Sequence, residues 1–102
     1  MKFNFDNAKY DIEATSRFKS DYKKIRKQGK DINKLIRVLE ILANGDALDE
    51  KYKNHKLIND KTFKDCMECH ITPDWLLIYK IQDNKLVLLL FATGSHSDLF
   101  DK

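Results

Sequence analysis

A single α+β domain is predicted by three features of the 102-residue sequence: a period-2 strand near its start, two consecutive amphipathic helices, and two hairpins of apolar strands in series. One domain spanning 1–102 is expected, long enough to build a core without disulfide or metal staples. Hydrophobic residues at 42% and charged residues at 34% exclude the apolar-poor composition of a disordered chain.

The first strand is expected over residues 10–15, where Tyr10, Ile12 and Ala14 alternate with Asp11, Glu13 and Thr15. Ser16 is the expected cap of a helix with Phe18, Tyr22 and Ile25 on one face, stopped by Gly29. Asp31 caps a second helix, whose apolar stripe of Ile32, Leu35, Ile36, Leu39 and Leu42 ends at Asn44-Gly45. Together they make a basic antiparallel hairpin. Between residues 17 and 37 stand nine basic residues against Asp21 and Asp31, a local net of +7, which leaves −4 for the rest of the chain. Such a concentration suits a phosphate backbone or an acidic partner, while a solvated helical face is the plainer reading of the same run.

Residues 46–60 are polar and read as a loop carrying His55. Over residues 63–72 the alternation returns, with Phe63, Met67, Cys69 and Ile71 to one side and Cys66, Glu68, His70 and Thr72 to the other. Thr72-Pro73-Asp74 turns the chain into a strand over 75–82, and Asp83-Asn84-Lys85 into another over 86–93. Both are apolar on two faces, so the helical hairpin covers one face of an antiparallel sheet and a further element or a partner must cover the other. Ser95-His96-Ser97-Asp98 has the form of a capping box opening a short terminal helix, with His96 first and Phe100 four residues on, on the same side.

No apolar run approaches the ~20 residues of a membrane span, and the start of the chain lacks a signal peptide's apolar stretch, so a cytoplasmic protein with no membrane contact is expected. Cys66 and Cys69 are too few for a disulfide scaffold and cannot alone complete a tetrahedral zinc site. Free thiols and no bound metal are expected.

Position alone singles out none of the three histidines. Local wording does. Glu-Cys-His-Ile-Thr-Pro-Asp-Trp-Leu-Leu-Ile-Tyr-Lys-Ile at 68–81 and Thr-Gly-Ser-His-Ser-Asp-Leu-Phe at 93–100 closely resemble the YafQ-type toxins of the RelE/ParE superfamily. Lys-Tyr-Lys-Asn-His-Lys-Leu at 51–57 is similar to that group's histidine-bearing loop, and Leu-Ala-Asn-Gly-Asp-Ala-Leu at 42–48 to the end of its second helix. The resemblance, which covers roughly residues 16–100, implies a RelE-like fold and the toxin of a type II toxin–antitoxin pair. It implies an endoribonuclease that cuts messenger RNA in the translating ribosome without metal or cofactor. A cognate antitoxin is implied as partner, with operator DNA reached only through the antitoxin complex. His55, His70, Asp74, His96 and Phe100 are the residues it associates with cleavage. Trp75 belongs to the same motif, but a Trp opening a central strand reads as core.

Chemistry supplies an independent reason for such a set. Metal-free RNA cleavage removes a proton from the 2′-hydroxyl, stabilises an anionic phosphorane and protonates the departing 5′-oxygen; imidazoles, with an unperturbed pKa of ~6.5, suit both transfers. His70 is the expected base, oriented by Asp74, with His96 the acid or a phosphate contact and His55 closing the site. Phe100 can stack on an extruded base, worth about 1–3 kcal/mol, or simply pin the terminus to the core. Lys23, Lys24, Arg26, Lys27, Lys53 and Lys56 are the expected RNA contacts.

Two positions depart from the family pattern. Arginines that normally precede the Glu-Cys-His and the last Gly are here Met67 and Ala92, which removes two cations from the neighbourhood of a phosphate. Lys53, Lys56 or Lys64 can stand in only as point charges. The alternatives to a ribonuclease are a same-fold toxin that inhibits a protein target, of the gyrase-poisoning kind, or a weakly active antitoxin-binding corepressor. A zinc site from Cys66, Cys69 and histidines is disfavoured because residues three apart on a strand point to opposite faces.

Overall fold

Five strands and three helices account for most of residues 3–100, the part of the chain that the computed structural model describes. In chain order these are β1 (Asp11–Ala14), α1 (Ser16–Lys27), α2 (Ile32–Ala43), β2 (His55–Lys56), β3 (Met67–Thr72), β4 (Trp75–Gln82), β5 (Val87–Gly94) and α3 (His96–Phe100). The strands form one sheet in the order β1-β5-β4-β3-β2. Pairs β3–β4 and β4–β5 are antiparallel as expected and β2–β3 is antiparallel too, whereas β1 runs parallel to β5, with Asp11 opposite Val87 and Ala14 opposite Leu90. The sheet is therefore mixed. A parallel pair needs a long crossover, and the two helices together with the β3–β5 meander supply it.

The α1 cap is Thr15 rather than Ser16, because one residue both ends the strand and starts the helix. Its amide donates to the Leu90 carbonyl at 3.0 Å, its hydroxyl donates to the Phe91 carbonyl at 2.8 Å, and Oγ1 accepts from the Phe18 amide at 3.0 Å. Gly29, at φ +77°, closes α1: its amide donates to Arg26 and that of Lys30 to Ile25, a double closure that requires the left-handed region. Asp31 caps α2 as expected, accepting from the Asn33 amide at 3.0 Å.

Both helices lie on one face of the sheet. Phe18, Ile25, Leu35, Val38, Leu39 and Leu42 pack there against Cys69, Ile71, Trp75, Leu77, Tyr79, Leu88 and Leu90. Trp75 is core, its indole N–H donating to Thr93 Oγ1 at 2.8 Å. An extra residue in β5 sets up that contact: Ile78 faces Ala92 and Tyr79 faces Leu90, so Phe91 is bulged and the alternation flips beyond it. Thr93 thereby joins the helix face, and Ala92 moves to the other.

That other face is closed from within the chain by residues 57–66 and α3, where Phe63, Cys66 and Leu99 cover Leu76, Ile78 and Ala92. Two expectations fail here. Residues 63–66 are a turn rather than strand, since Asp65 adopts φ +61° and the Cys66 amide donates back to the Phe63 carbonyl; Phe63 consequently shares a side with Cys66, not with Cys69. The polar 46–60 connection also has structure, a 3-10 turn over Glu50–Tyr52 and the short strand β2 that carries His55. Among the described residues, no helix is long and apolar enough to cross a membrane.

Candidate active site

Two groups of side chains lie on the face away from α1 and α2. The first sits on β2 and β3. His55 lies opposite Glu68, Glu68 opposite Ile78 and His70 opposite Leu76, so period-2 alternation sends all three polar residues to the same side. Glu68 Oε1 is 3.2 Å from His55 Nε2 and 3.6 Å from His70 Nε2. The Glu68 side chain is only 8% exposed, against 51% for His55 and 24% for His70, so a buried carboxylate anchors two imidazoles that reach outward.

The far nitrogens fix the rings. His55 Nδ1 lies 2.8 Å from the Lys53 carbonyl and His70 Nδ1 3.4 Å from the Pro73 carbonyl. Each Nδ1 thus faces a carbonyl and each Nε2 faces Glu68, so both ring nitrogens of each imidazole have a polar neighbour. The His55 segment is itself tethered, since the Tyr79 hydroxyl donates to Asn54 Oδ1; burial pushes that phenol up, which keeps it a donor. Asp74 is exposed in the β3–β4 turn, and it is Glu68 and the Pro73 carbonyl that contact the His70 ring, in the orienting position expected of Asp74.

The second group sits on α3. Gly94, at φ +155°, lets β5 turn directly into this helix; a Cβ there would come within 3.2 Å of Asp98 Cβ. The capping box forms in both directions, Asp98 N–H donating to Ser95 Oγ at 3.1 Å and Ser95 N–H to Asp98 Oδ2 at 3.3 Å. Donation from the Ser95 amide is the largest cause holding the Asp98 carboxyl below its ordinary value. His96 is exposed, and its ring centroid lies 5.0 Å from that of Phe100, which in turn meets Phe63 edge-on at 5.8 Å.

Arg17 joins this group from the start of α1. Its guanidinium lies 5.5 Å from the Phe63 ring centroid, donates to the Asp98 carbonyl at 3.3 Å and pairs with Asp21 at 3.5 Å. Asp21 also accepts the Thr93 amide at 3.1 Å; burial raises its carboxyl above the ordinary value, with the Thr93 bond and Arg17 opposing. Lys24 reaches α3 as well, 3.4 Å from Asp98 Oδ1.

The two groups flank β4. Glu68 is in register with Ile78 and then Ala92, and His70 with Leu76 and then Gly94, so β3 and β5 stand two strands apart, about 10 Å between backbones. Of the expected RNA contacts, Lys53 and Lys56 are exposed beside His55, and Lys24 bridges to α3. Lys23, Arg26 and Lys27 are exposed on α1, in the layer on the opposite face of the sheet from the imidazoles. Met67 packs with the helix-side cluster, so a cation at that position would point away from the histidines, whereas Ala92 lies on their side. Cys66 and Cys69 belong to opposite clusters and cannot share an ion; burial pushes the Cys69 thiol up to about 12.

Glu68 and Arg17 were not singled out by the sequence. Glu68 falls two residues before His70 on the same strand face, which was a usable signal; Arg17 was one cation of nine, and only the tertiary packing brings it to α3.

The chain as a whole is similar to known toxins. The sequence profile of a family described as the bacterial toxin of a type II toxin–antitoxin system, YafQ, matches residues 10–101. The mRNA interferase toxin YafQ of Escherichia coli (strain B / BL21-DE3) is 38% identical over 91 residues, covering 88% of this chain and 95% of that protein; its K12 counterpart is 37% identical over the same length. Among solved structures, a metal-bound toxin from Helicobacter pylori superposes with a TM-score of 0.80 at 42% identity, covering 87% of this chain and 97% of that one. The E. coli DinJ-YafQ toxin-antitoxin complex matches with a TM-score of 0.78 at 36% identity, over 90% and 98% of the two chains.

Proposed function

Because the chain belongs to the YafQ family of type II toxin–antitoxin toxins, we propose that it is an mRNA interferase, a cytoplasmic endoribonuclease that cuts messenger RNA in the translating ribosome by histidine acid–base chemistry. The observation that carries this reading is the row His55–Glu68–His70 facing the same side of the sheet as His96 and Phe100.

In this mechanism His70 Nε2 takes the proton of the 2′-hydroxyl, and the 2′-oxygen attacks the adjacent phosphorus. His96 protonates the 5′-oxygen as the P–O5′ bond breaks, leaving a 2′,3′-cyclic phosphate and a 5′-hydroxyl. Glu68 holds the His70 ring and stabilises the imidazolium formed there, and His55 steadies Glu68 from the edge strand. Arg17, beside Phe63 and Phe100, supplies the positive charge for the phosphorane where Ala92 offers none. Phe100 presents a ring on which an extruded base stacks. Asp74, exposed at the mouth of the β3–β4 turn, contacts substrate rather than His70.

E. coli YafQ is held in a complex with DinJ, and by the same reading this chain has a cognate antitoxin, through which alone it meets operator DNA. The test is induction of His70→Ala and His96→Ala variants with growth and transcript ends followed together. Each variant should lose about 10²- to 10⁴-fold in cleavage. Full toxicity in both would end the histidine mechanism, and growth arrest without new transcript ends would favour a protein target.

A further inference from the structure

A cavity opens beside His70, on the side of β3 away from β4 and β5. Its volume is about 640 Å³, within the usual range for small-ligand sites, and Lys34, Arg37, Lys51, Lys53, Asp31 and His70 are among its walls. It exists because β2 is short: β2 pairs only with Met67 and Glu68, so beyond Glu68 the outer edge of β3 has no strand beside it, and the start of α2 and the Glu50–Tyr52 turn stand back from that edge.

The wall is strongly one-signed. Lys34 and Arg37 are three residues apart on α2 and share a side. Lys53, at φ +48°, ends the 3-10 turn that carries Lys51. Among the described residues none of the four forms an ion pair, and the one acid, Asp31, spends Oδ1 on the Asn33 amide as the α2 cap. Four cations against the single carboxylate of Asp31 leave the concavity net positive, which attracts an anion.

We propose that this cavity is a phosphate-binding subsite for the substrate RNA, holding the one or two nucleotides that adjoin the scissile phosphate. His70 belongs to both places: its ring faces Glu68 in the cleavage row, and the same residue lines the cavity. A strand leaving the scissile phosphate past His70 enters this cavity directly. The inference rests on the ribonuclease reading above, but its test need not.

The probe is a 2′-O-methyl octanucleotide, which keeps the phosphates and has no 2′-hydroxyl to attack. Its affinity for the purified chain is measured by fluorescence anisotropy across a salt series, for wild type and for Lys34→Ala/Arg37→Ala. The double variant should bind about tenfold more weakly near 0.1 M salt, and its log–log salt slope should be shallower by about 1.4, two contacts at ~0.7 each. Lys34→Arg/Arg37→Lys should keep the wild-type slope, and the melting temperatures should agree. Unchanged affinity and slope in Lys34→Ala/Arg37→Ala overturn the subsite, as does displacement of the oligonucleotide by a decaglutamate peptide at equal concentration, which would mark a surface for an acidic protein. A weakened, shallower response supports it even if His96→Ala proves fully toxic, an outcome that counts only against the acid–base reading.

Discussion

Under α1 and α2, Phe18, Leu35, Val38, Leu39 and Leu77 are wholly inaccessible, whereas the opposite face is roofed by a turn, a loop and a five-residue helix, with the Glu68 carboxylate buried among them. The same β strands serve both faces, since Trp75, Leu77 and Tyr79 point one way and Leu76 and Ile78 the other. Both covers exclude water, since Ile78 and Ala92 are as inaccessible as Leu77; the smaller cover of the second face leaves room at its rim for polar groups that must stay reachable. The contrast teaches a division of labour. Folding free energy is concentrated on the helix side, and the groups able to move protons are concentrated on the other.

The largest expected effect breaks the helix side. Trp75→Ala removes a buried indole and its bond to Thr93, and should cost about 3–5 kcal/mol in denaturant unfolding. A loss below about 1 kcal/mol would mean that this face is not where stability resides. Next, on the other face, Glu68→Gln keeps the shape of the residue while removing its charge. Cleavage should fall about 10²-fold, the penalty for a misplaced catalytic group, with the melting temperature nearly unchanged; intact cleavage would reduce Glu68 to a packing residue.

The smallest effect concerns acid. A carboxyl held below its ordinary value binds fewer protons folded than unfolded, so the contribution of Asp98 is complete above 3.8 and fades as pH falls beneath it. Protection factors for amide exchange at Ser95 and Leu99 should therefore fall below about pH 4, before those of the α1–α2 amides. Simultaneous loss would show that α3 is no weaker than the helix-side core.

Much of this fold was legible because its core-facing residues recur at regular spacing. Phe18 and Ile25, Leu35 and Leu39, and the alternating Trp75, Leu77 and Tyr79 all reach the cluster that their periods imply. The β1–β5 pairing was not, since alternation shows which side a residue faces and says nothing of which strand lies alongside. Nor was the side of Phe63, which turns on a left-handed Asp65, or of Thr93, which turns on the bulge at Phe91. At the site, His70 and His96 could be picked out from the wording of their segments. Glu68 has a signal in its place two residues before His70 on the same strand face, but its burial does not, because an acid there reads as solvated until residues 57–66 are known to fold over it.

The parallel seam between β1 and β5 also governs how the chain acquires its shape. The bond from Thr15 to Phe91 joins residues 76 apart, whereas the β3–β4 and β4–β5 hairpins close over a few residues. Closing the long loop costs more chain entropy than closing either hairpin. Until it closes, α1 lacks the carbonyls of Leu90 and Phe91 that hold its cap, and Arg17 has no aromatic pair to reach. The cap of α1 and the placement of Arg17 beside Phe63 thus rest on the pairing of longest sequence separation in the sheet.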